Sequence, residues 1–427
     1  LQKTAVYQAV QNGVTIITGG PGTGKTTTIN TILQVFEQEG LDILLAAPTG
    51  RAAKRMSETT GWEAQTIHRL LEINGGVSEG DTQGTMHFER NEKQPLEADV
   101  VIIDEFSMVD IYLMNALLRA IVPGTRLIIV GDVNQLPSVG PGNVLKDMIQ
   151  AEFCSVVRLH RIFRQAAESQ IVMNAHRINS GEEISLENAS PDFMHLERKD
   201  SASVINVVVQ LIMQKLPPHV DASPYDIQVL TPTRKGELGV EHLNQVLQQY
   251  MNPADAGKVE REFHGVLFRE KDKVMQIKND YQIRWTKKTS LGDVYEEGTG
   301  VFNGDTGIIR EIIPVAEQVV VEFEEGKMVE YEYSQMDEME LAYAITIHKS
   351  QGSEYPAIVL PVLGGPKMLL GRNLLYTAVT RAKKCVTTVG SSRVIQGMIH
   401  NVNEQKRFSS LCQRIKEMEE EDAELNH

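Results

Sequence analysis

One stretch decides the fold of this chain, Gly19-Gly20-Pro21-Gly22-Thr23-Gly24-Lys25-Thr26. The apolar run Val14-Thr15-Ile16-Ile17 precedes it as a predicted strand, and residues 27–38 follow with helical apolar spacing. Glycines allow positive φ angles and a close backbone approach, so that successive N–H groups face phosphate oxygens. The N-terminus of the following helix adds the positive end of its dipole. The stretch therefore predicts a loop that holds the phosphates of a nucleoside triphosphate.

Two side chains of this loop carry the expected chemistry. Lys25 is expected to reach the β- and γ-phosphates, and the Thr26 hydroxyl to hold Mg²⁺. The other expected nucleotide contacts in this stretch are Gly19, Gly20, Pro21, Gly22, Thr23, Gly24 and Thr27. The predicted cofactors are accordingly ATP and Mg²⁺.

Length and composition set the broad class. With 427 residues, 41% hydrophobic and 23% charged, the chain is expected to form more than one globular domain. It shows no apolar run long enough to span a bilayer, so no membrane partner is expected. Cys154, Cys385 and Cys412 are widely spaced, which argues against a zinc site or an iron–sulfur cluster and favours a cytoplasmic location. The net charge of −15 disfavours passive coating of DNA but is compatible with a motor, because local clefts govern binding.

Strands and helices alternate in two blocks of the sequence, which predicts an α/β fold with two mononucleotide-binding lobes. Apolar runs end in polar clusters at Pro48-Thr49-Gly50, Asp104-Glu105, Gly131-Asp132 and Thr231-Pro232-Thr233. Parallel α/β sheets place their ligands at the carboxyl ends of strands, so these clusters are candidate sites. From about residue 263 to 339 the segments become short and alternating, with turn signals between them, which indicates an inserted β-barrel or sandwich.

Three polar side chains after strands are candidates for hydrolysis. Asp104 is expected to order Mg²⁺, and Glu105 to accept the proton of the attacking water. An Asp-Glu pair after a strand is also typical of a helix N-cap. Gln135 is expected to bind the γ-phosphate or the attacking water, the alternative being a simple turn rich in Gly, Asn and Pro.

Two arginines far from the loop, Arg164 and Arg381, are candidates to complete the site from the opposing lobe. An arginine finger stabilises transition-state charge and is worth roughly 10³–10⁵ in rate. Either residue, taken alone, is more typical of a surface ion pair.

The order of the motifs resembles superfamily 1 DNA helicases of the RecD type over almost the whole chain. In order these motifs are the phosphate loop, Ala47-Pro48-Thr49-Gly50-Arg51-Ala52-Ala53, Thr66-Ile67-His68-Arg69-Leu70-Leu71, Asp104-Glu105, residues 131–139, Ile162-Phe163-Arg164-Gln165, residues 343–356 and residues 375–383.

This resemblance implies further site residues. Gln2 is expected to read the adenine edge, Phe163 to stack on the base unless it is a core aromatic, and Glu354 to contact the ribose. Gly352 is a further expected nucleotide contact. The residues expected to line the path of a single strand are Pro48, Thr49, Arg51, Thr66, His68, Thr231, Thr346, His348 and Lys349. Such groups at strand ends suit contacts to the nucleic-acid backbone.

The resemblance also implies two RecA-like lobes with parallel sheets and two insertions. The expected segments are a first lobe at 1–155 with a β-hairpin wedge at 73–97, a second lobe at 156–260 and 341–400, an SH3-like β-barrel at 261–340, and a C-terminal helix with an acidic tail at 401–427.

The function that the resemblance implies is an ATP-dependent DNA helicase. It would move 5′ to 3′ on single-stranded DNA and unwind duplexes in repair and recombination. Its partners would be single-stranded and fork DNA, with other exonuclease V subunits as further candidates. Three alternatives stay open at this point: an ATP-dependent switch that binds DNA without moving, a P-loop kinase, and the helicase part of a conjugative relaxase.

Overall fold

A computed structural model describes residues 1–72, 88–188, 190–289, 291–402, 407 and 409–425, and only the backbone of residues 164, 165 and 422–425. The chain divides into two compact units. Unit 1 consists of Leu1–Glu183, Gly371–Thr380 and Asn401–His427, and unit 2 consists of Ile184–Leu370 and Arg381–His400.

Unit 1 is built on a parallel sheet of six strands in the order β3-β2-β4-β5-β1-β6. The strands are β1 (Val14–Gly19), β2 (Ile43–Ala47), β3 (Ala64–Thr66), β4 (Val100–Ile103), β5 (Arg126–Gly131) and β6 (Ser155–Leu159). Strand β4 is wholly buried, as is most of β1 and β5. Helices cover both faces of such a sheet, which is why its central strands are continuous apolar runs.

The helices of unit 1 that precede residue 184 are α1 (Gln2–Gln11), α2 (Lys25–Gln38), α3 (Gly50–Thr60), α4 (Ile67–Leu70), α5 (Ile111–Ala120), α6 (Val144–Ala151), α7 (Arg164–Ala167) and α8 (Gln170–Ser180). Helix α2 buries Ile29, Ile32, Leu33 and Phe36, which recur with helical spacing on one face. This apolar face fixes the helix that follows the phosphate loop on the sheet.

The described part of unit 2 contains a five-stranded parallel sheet, a seven-stranded antiparallel sheet and an antiparallel pair of strands, β9 and β10. Its strands are β7 (Phe193–Glu197), β8 (Gln228–Thr231), β9 (Glu260–Phe263), β10 (Val266–Arg269), β11 (Lys273–Gln276), β12 (Asp280–Lys288), β13 (Val294–Val301), β14 (Thr306–Ile313), β15 (Gln318–Phe323), β16 (Met328–Glu332), β17 (Met339–Leu341), β18 (Ala344–Thr346), β19 (Tyr355–Val362) and β20 (Ala382–Gly390). Between β7 and β9 lie α9 (Ser201–Gln210), a π-helical segment (Leu211–Lys215), α10 (Leu216–Val220) and α11 (Val240–Met251).

The two larger sheets of unit 2 differ in the way their strands pair. Strands β18-β8-β19-β20-β7 form the parallel sheet in this order, whereas β13-β12-β16-β15-β14-β11-β17 pair in an antiparallel sheet. Strand β15 alternates half-buried and buried residues, as expected for an antiparallel sheet with one face on a core. The antiparallel strands lie between α11 and β18 in the chain, so they are an insertion in the second α/β lobe, as the sequence predicts.

The α-helices that follow β19 in the described part of the chain are α12 (Arg372–Val379), α13 (Ser392–His400) and α14 (Leu411–Leu425). Helices α12 and α14 belong to unit 1, and α13 belongs to unit 2. Helix α12 ends at Val379, shortly before β20 begins at Ala382, which pairs with Tyr355 of β19.

The first lobe and its expected insertion have boundaries that bear on the predictions from the sequence. The structure places Ser155–Leu159 beside β1 and residues up to Glu183 in unit 1, so the first lobe extends beyond the expected boundary at 155. Most of the expected hairpin wedge at 73–97 lies outside the described residues, since the description stops at 72 and resumes at 88. Every helix within the described ranges is too short or too polar to cross a membrane.

Candidate functional site

The phosphate loop follows β1 and leads into α2. Gly22 and Gly24 adopt φ angles of +71° and +83°, which favour glycine. A Cβ atom on Gly24 would lie 2.1 Å from Nε2 of Gln2 and 2.6 Å from Cε2 of Phe163. Both the backbone conformation and the close neighbours therefore require glycine at this position.

The Lys25 side chain extends along the loop. Its Nζ donates hydrogen bonds to the carbonyl oxygens of Gly19, at 2.6 Å, and Gly20, at 3.2 Å. The Thr23 hydroxyl donates to the Gly20 carbonyl at 2.8 Å. The loop thus holds its ammonium group in place with its own backbone, and a phosphate would exchange with these carbonyl oxygens.

Asp104 and Glu105 follow β4 at the same edge of the sheet. Burial raises the pKa of Asp104 to about 6, and the charge of Glu105 adds to this effect, while Lys25 and Arg55 act in the opposite direction. Glu105 adopts φ +51°, an unusual conformation for a residue other than glycine, and such strain is concentrated at functional sites. Its Oε1 lies 3.7 Å from Nη1 of Arg55, a residue that the sequence analysis did not select.

The half-buried Asp104 and Thr26 suit a divalent cation. Carboxylate and hydroxyl oxygens are ligands that Mg²⁺ accepts. The pKa of Asp104 is raised because burial and Glu105 disfavour its negative charge, and a cation beside the carboxylate would reverse this preference. The residues present therefore fit Mg²⁺.

Gln135 belongs to a buried hydrogen-bonded cluster with Asp132 and Tyr376. The Tyr376 hydroxyl donates to Oδ2 of Asp132 at 2.6 Å, and Nε2 of Gln135 lies 3.4 Å from the same oxygen. Asp132 and Tyr376 are each 1% exposed. A Cβ atom on Gly20 would lie 2.9 Å from the Tyr376 hydroxyl, so this tyrosine also packs against the phosphate loop. The cluster joins the loop to the residue expected to read the γ-phosphate.

Helix α12 and the C-terminal segment hold the turn that carries Gln135. The Thr377 hydroxyl accepts a hydrogen bond from the Leu136 N–H at 3.0 Å. Nη1 of Arg407 donates to the carbonyl oxygens of Gly140 and Gly142, each at 2.7 Å, and its Nη2 donates to the carbonyl of Ser138. Residues distant in sequence thus fix this turn from two sides.

Gln2 and Phe163, which are expected to contact the adenine base, lie beside the phosphate loop. Gln2 donates to the carbonyl oxygen of Gly24 at 3.2 Å, and the Phe163 N–H donates to that of Gly22, also at 3.2 Å. Phe163 is 45% exposed, which is unlike a core aromatic. Of the other expected nucleotide contacts, Pro21 is half-buried and Thr27 is exposed. The side chain of Arg164 lies outside the described residues.

Arg381, Gly352 and Glu354 lie in unit 2. Arg381 is 2% exposed, and its Nη1 donates to the carbonyl oxygen of Ser353 at 3.2 Å. Gly352 adopts φ +73°, and Glu354 lies 3.7 Å from Nζ of Lys383. The structure therefore gathers these three predicted residues at one turn, and their contacts with a nucleotide stay predictions.

In unit 1, two threonines that are expected to line the path of single-stranded DNA hydrogen-bond to the protein backbone. The Thr49 and Thr66 hydroxyls cap α3 and α4, accepting from the N–H groups of Ala52 and Arg69. Burial lowers the pKa of His68, whose ring lies 6.1 Å from that of Phe88. The remaining expected residues here, Pro48 and Arg51, are half-buried. Their roles in binding nucleic acid stay predictions.

In unit 2, the expected residues differ in exposure. Thr231 is fully buried and its hydroxyl donates to the Leu238 carbonyl at 2.6 Å, and its contact with nucleic acid stays a prediction. His348 is exposed, and the half-buried Thr346 accepts from the Lys349 N–H at 3.3 Å. Lys349 itself donates to Glu340 at 2.9 Å.

A phosphate loop and a carboxylate pair at the ends of strands in one parallel sheet define a P-loop nucleoside triphosphatase. Three family profiles match the chain. They are an AAA domain at residues 2–141, an ATP-dependent RecD-like DNA helicase SH3 domain at 243–323, and a UvrD-like helicase C-terminal domain at 341–389.

Two relatives are similar to this chain over nearly its whole length. An ATP-dependent RecD2 DNA helicase from Deinococcus radiodurans is 34% identical over 97% of this chain and 52% of its own length. The RecBCD enzyme subunit RecD of Mycobacterium tuberculosis H37Rv is 30% identical over 93% of this chain and 70% of its own length. The chain belongs to the RecD-type family of superfamily 1 helicases, and it spans about half the length of the first of these relatives.

Solved structures share the fold. One, of two coordinating Pif1 helicases at forked double-stranded DNA, is 19% identical with a TM-score of 0.53, over 98% of this chain and 96% of its own. Another, Pif1 from Bacteroides with ADP-AlF3 and single-stranded DNA, is 18% identical with a TM-score of 0.51, over 99% and 96%. The chain thus has the α/β architecture of this helicase class, with an SH3-like insertion.

Proposed function

We propose that this chain is the motor part of an ATP-dependent DNA helicase that moves 5′ to 3′ on single-stranded DNA and unwinds forks. The observation that carries the proposal is the hydrogen-bonded cluster of Gln135, Asp132 and Tyr376 against the phosphate loop. It connects a nucleotide site to α12, a helix that the chain enters from unit 2 and leaves into unit 2. A simple kinase has no need of this connection.

Hydrolysis is assigned to groups at the carboxyl edge of the unit 1 sheet. Glu105 accepts the proton of the attacking water, and Lys25 exchanges its carbonyl partners for phosphate oxygens. Mg²⁺, held by Thr26 and Asp104, would neutralise developing negative charge on the phosphates. Gln135 orients the water or the γ-phosphate, and Asp132 fixes its amide. Arg164 and Arg381 remain proposed arginine fingers.

Binding of single-stranded DNA is assigned to groups near the ends of β8 and β18 and at α3 and α4. Exposed His348 and half-buried Lys349 suit contacts with phosphates, which position a strand without reading its sequence. Affinity should therefore be tolerant of sequence and sensitive to salt. We further propose that the protein acts either as a stand-alone helicase in repair or recombination or as a subunit of an exonuclease V complex, in the cytoplasm. The two relatives, a DNA helicase and a RecBCD enzyme subunit, support these two alternatives.

A polarity assay tests this function. A duplex with a 5′ single-stranded tail should be unwound with ATP and Mg²⁺ in preference to one with a 3′ tail. The reverse preference would contradict the direction of movement. ATP turnover stimulated by DNA, without displacement of streptavidin from a biotinylated strand end, would instead favour a switch that binds without moving.

Tyr376→Phe should lower kcat for DNA-stimulated ATP hydrolysis by roughly 10- to 100-fold, because a small displacement of Gln135 is costly to the chemical step. The change removes the hydroxyl that donates to Asp132. Asp132→Asn keeps an acceptor for this hydroxyl and should lose less. Steady-state kinetics would check both variants against Tyr7→Phe, which alters a 61% exposed tyrosine in the same unit. An unchanged kcat in Tyr376→Phe would remove the positioning role.

A further inference from the structure

Glu340 of β17 lies between two cations. Nη2 of Arg234 donates to its Oε1 at 2.7 Å, and Nζ of Lys349 donates to its Oε2 at 2.9 Å. Each carboxylate oxygen therefore has one cationic partner. Burial by itself raises the pKa of Glu340, but the hydrogen bonds from the two cations outweigh burial and lower it. Glu340 is accordingly ionised at neutral pH.

The two cations occupy equivalent places after neighbouring strands. β8 and β18 are parallel, with Thr231 opposite Thr346, and Arg234 and Lys349 each follow three residues later. This is the edge at which α/β sheets bind ligands. The carboxylate comes from the other sheet, since Glu340 pairs with Met275 in the antiparallel insertion. The insertion thus supplies an acid to the ligand edge of the α/β sheet.

The arrangement contributes little to stability. The side chain of Arg234 is 51% exposed, that of Glu340 26% and that of Lys349 24%. Partly exposed ion pairs are weak because water screens them, so a ligand displaces them at small cost. Arg234, Glu340, Thr346 and Lys349 also line one small pocket, which places both cations beside the same space.

We propose that Arg234 and Lys349 bind one phosphodiester of single-stranded DNA, and that Glu340 competes with this phosphate for both cations. The inference rests on the proposed function and adds Arg234 to the strand-binding residues. Two cations and one carboxylate leave a single positive charge, which one phosphodiester neutralises. Glu340 thus acts as an internal counterion that weakens the binding of single-stranded DNA and favours its release.

The competition predicts opposite effects of two substitutions on salt dependence. Removing one phosphate contact in Arg234→Gln should make the slope of log K against log salt shallower by about 0.7, the value per phosphate on a single strand. It should also weaken binding by roughly tenfold, as loss of one charge-assisted hydrogen bond does. In Glu340→Gln both cations lose their carboxylate and attract counterions from solution, which DNA releases when it binds. The slope of log K against log salt should therefore become steeper, and the affinity for DNA should rise by roughly two- to tenfold.

Fluorescence anisotropy of a labelled oligo-dT, titrated across a series of KCl concentrations, measures these effects. The matched control is Glu322→Gln, which removes the acid of another Arg–Glu pair in the same antiparallel sheet, with Arg310, and should leave affinity and slope unchanged. Thermal unfolding of each variant verifies that the fold is kept. A double variant combines Arg234→Gln with Glu340→Gln. In it, the gain in affinity from Glu340→Gln should be smaller, because Arg234, one of the two cations paired with Glu340, is absent.

The outcomes separate this inference from the proposed function. If the unchanged protein fails to bind oligo-dT at low salt, the proposed function fails and this site with it. If the unchanged protein binds but both single variants match it in affinity and slope, the competition is wrong while the helicase proposal stands. Weaker binding by a folded Glu340→Gln would also overturn it, because the carboxylate would then support the strand site.

Discussion

Glu105→Gln is expected to hydrolyse ATP roughly 10²- to 10⁴-fold more slowly than the unchanged protein, the contribution typical of a positioned general base. Gln has nearly the same size and shape but cannot accept the proton of the attacking water. The Glu105 N–H donates to Asp104 at 2.8 Å through the backbone, so the substitution leaves this contact intact. Binding of ATP should therefore change little, and the loss should appear in kcat.

Phosphate release under saturating ATP, with and without single-stranded DNA, measures this loss, and a fluorescent ATP analogue measures binding. The matched control is Glu152→Gln, since Glu152 also has a positive φ, +61°, at the end of α6 in the same unit. Turnover near normal in Glu105→Gln would exclude this residue as the base. A parallel loss in Glu152→Gln would point to the backbone conformation instead.

Lys25→Ala is expected to abolish measurable turnover and to weaken ATP binding by roughly 10- to 100-fold, since charge-assisted hydrogen bonds to phosphate are strong. In the structure Nζ of Lys25 donates to two neutral carbonyl oxygens of the loop, those of Gly19 and Gly20. Its removal thus breaks no ion pair of the loop, and thermal unfolding without nucleotide should shift little.

Calorimetric titration with Mg·ATP checks the affinity, with Lys3→Ala on the exposed face of α1 as the control for loss of one positive charge. Normal affinity and turnover in Lys25→Ala would refute the assignment of the loop. A lowered unfolding temperature without nucleotide would show that the ammonium group mainly supports the loop.

The sequence predicts the conformation of the phosphate loop and the strand before Asp104 well, because their determinants are local. The spacing of glycines before Lys25 already encodes the turn, and the structure gives Gly22 and Gly24 the positive φ angles this needs. The apolar run before Asp104 likewise predicts a buried strand, and β4 is buried throughout. Chain order alone also reveals that the antiparallel region interrupts an α/β lobe.

Contacts between distant residues could not be predicted in this way. The Tyr376–Asp132 hydrogen bond joins residues 244 positions apart, and no local pattern marks Tyr376 as its donor. Hydroxyl groups at strand ends are ambiguous because they also serve the backbone: Thr66 caps a helix, and Thr231 is buried. Arg234 had a signal, a basic residue just after a strand, but its partner Glu340 comes from the insertion.

The contact between Arg407 and the turn at Ser138–Gly142 has a practical consequence for anyone who trims this protein. The matched helicase profiles end at residue 389, so an expression boundary chosen from them would discard both Arg407 and α14. Every recognised motif would survive, yet the guanidinium that gathers three carbonyl groups beside Gln135 would be gone. A shortened protein should then bind nucleotide but hydrolyse it slowly. The loss of activity would be attributed to the motif residues and not to the missing Arg407.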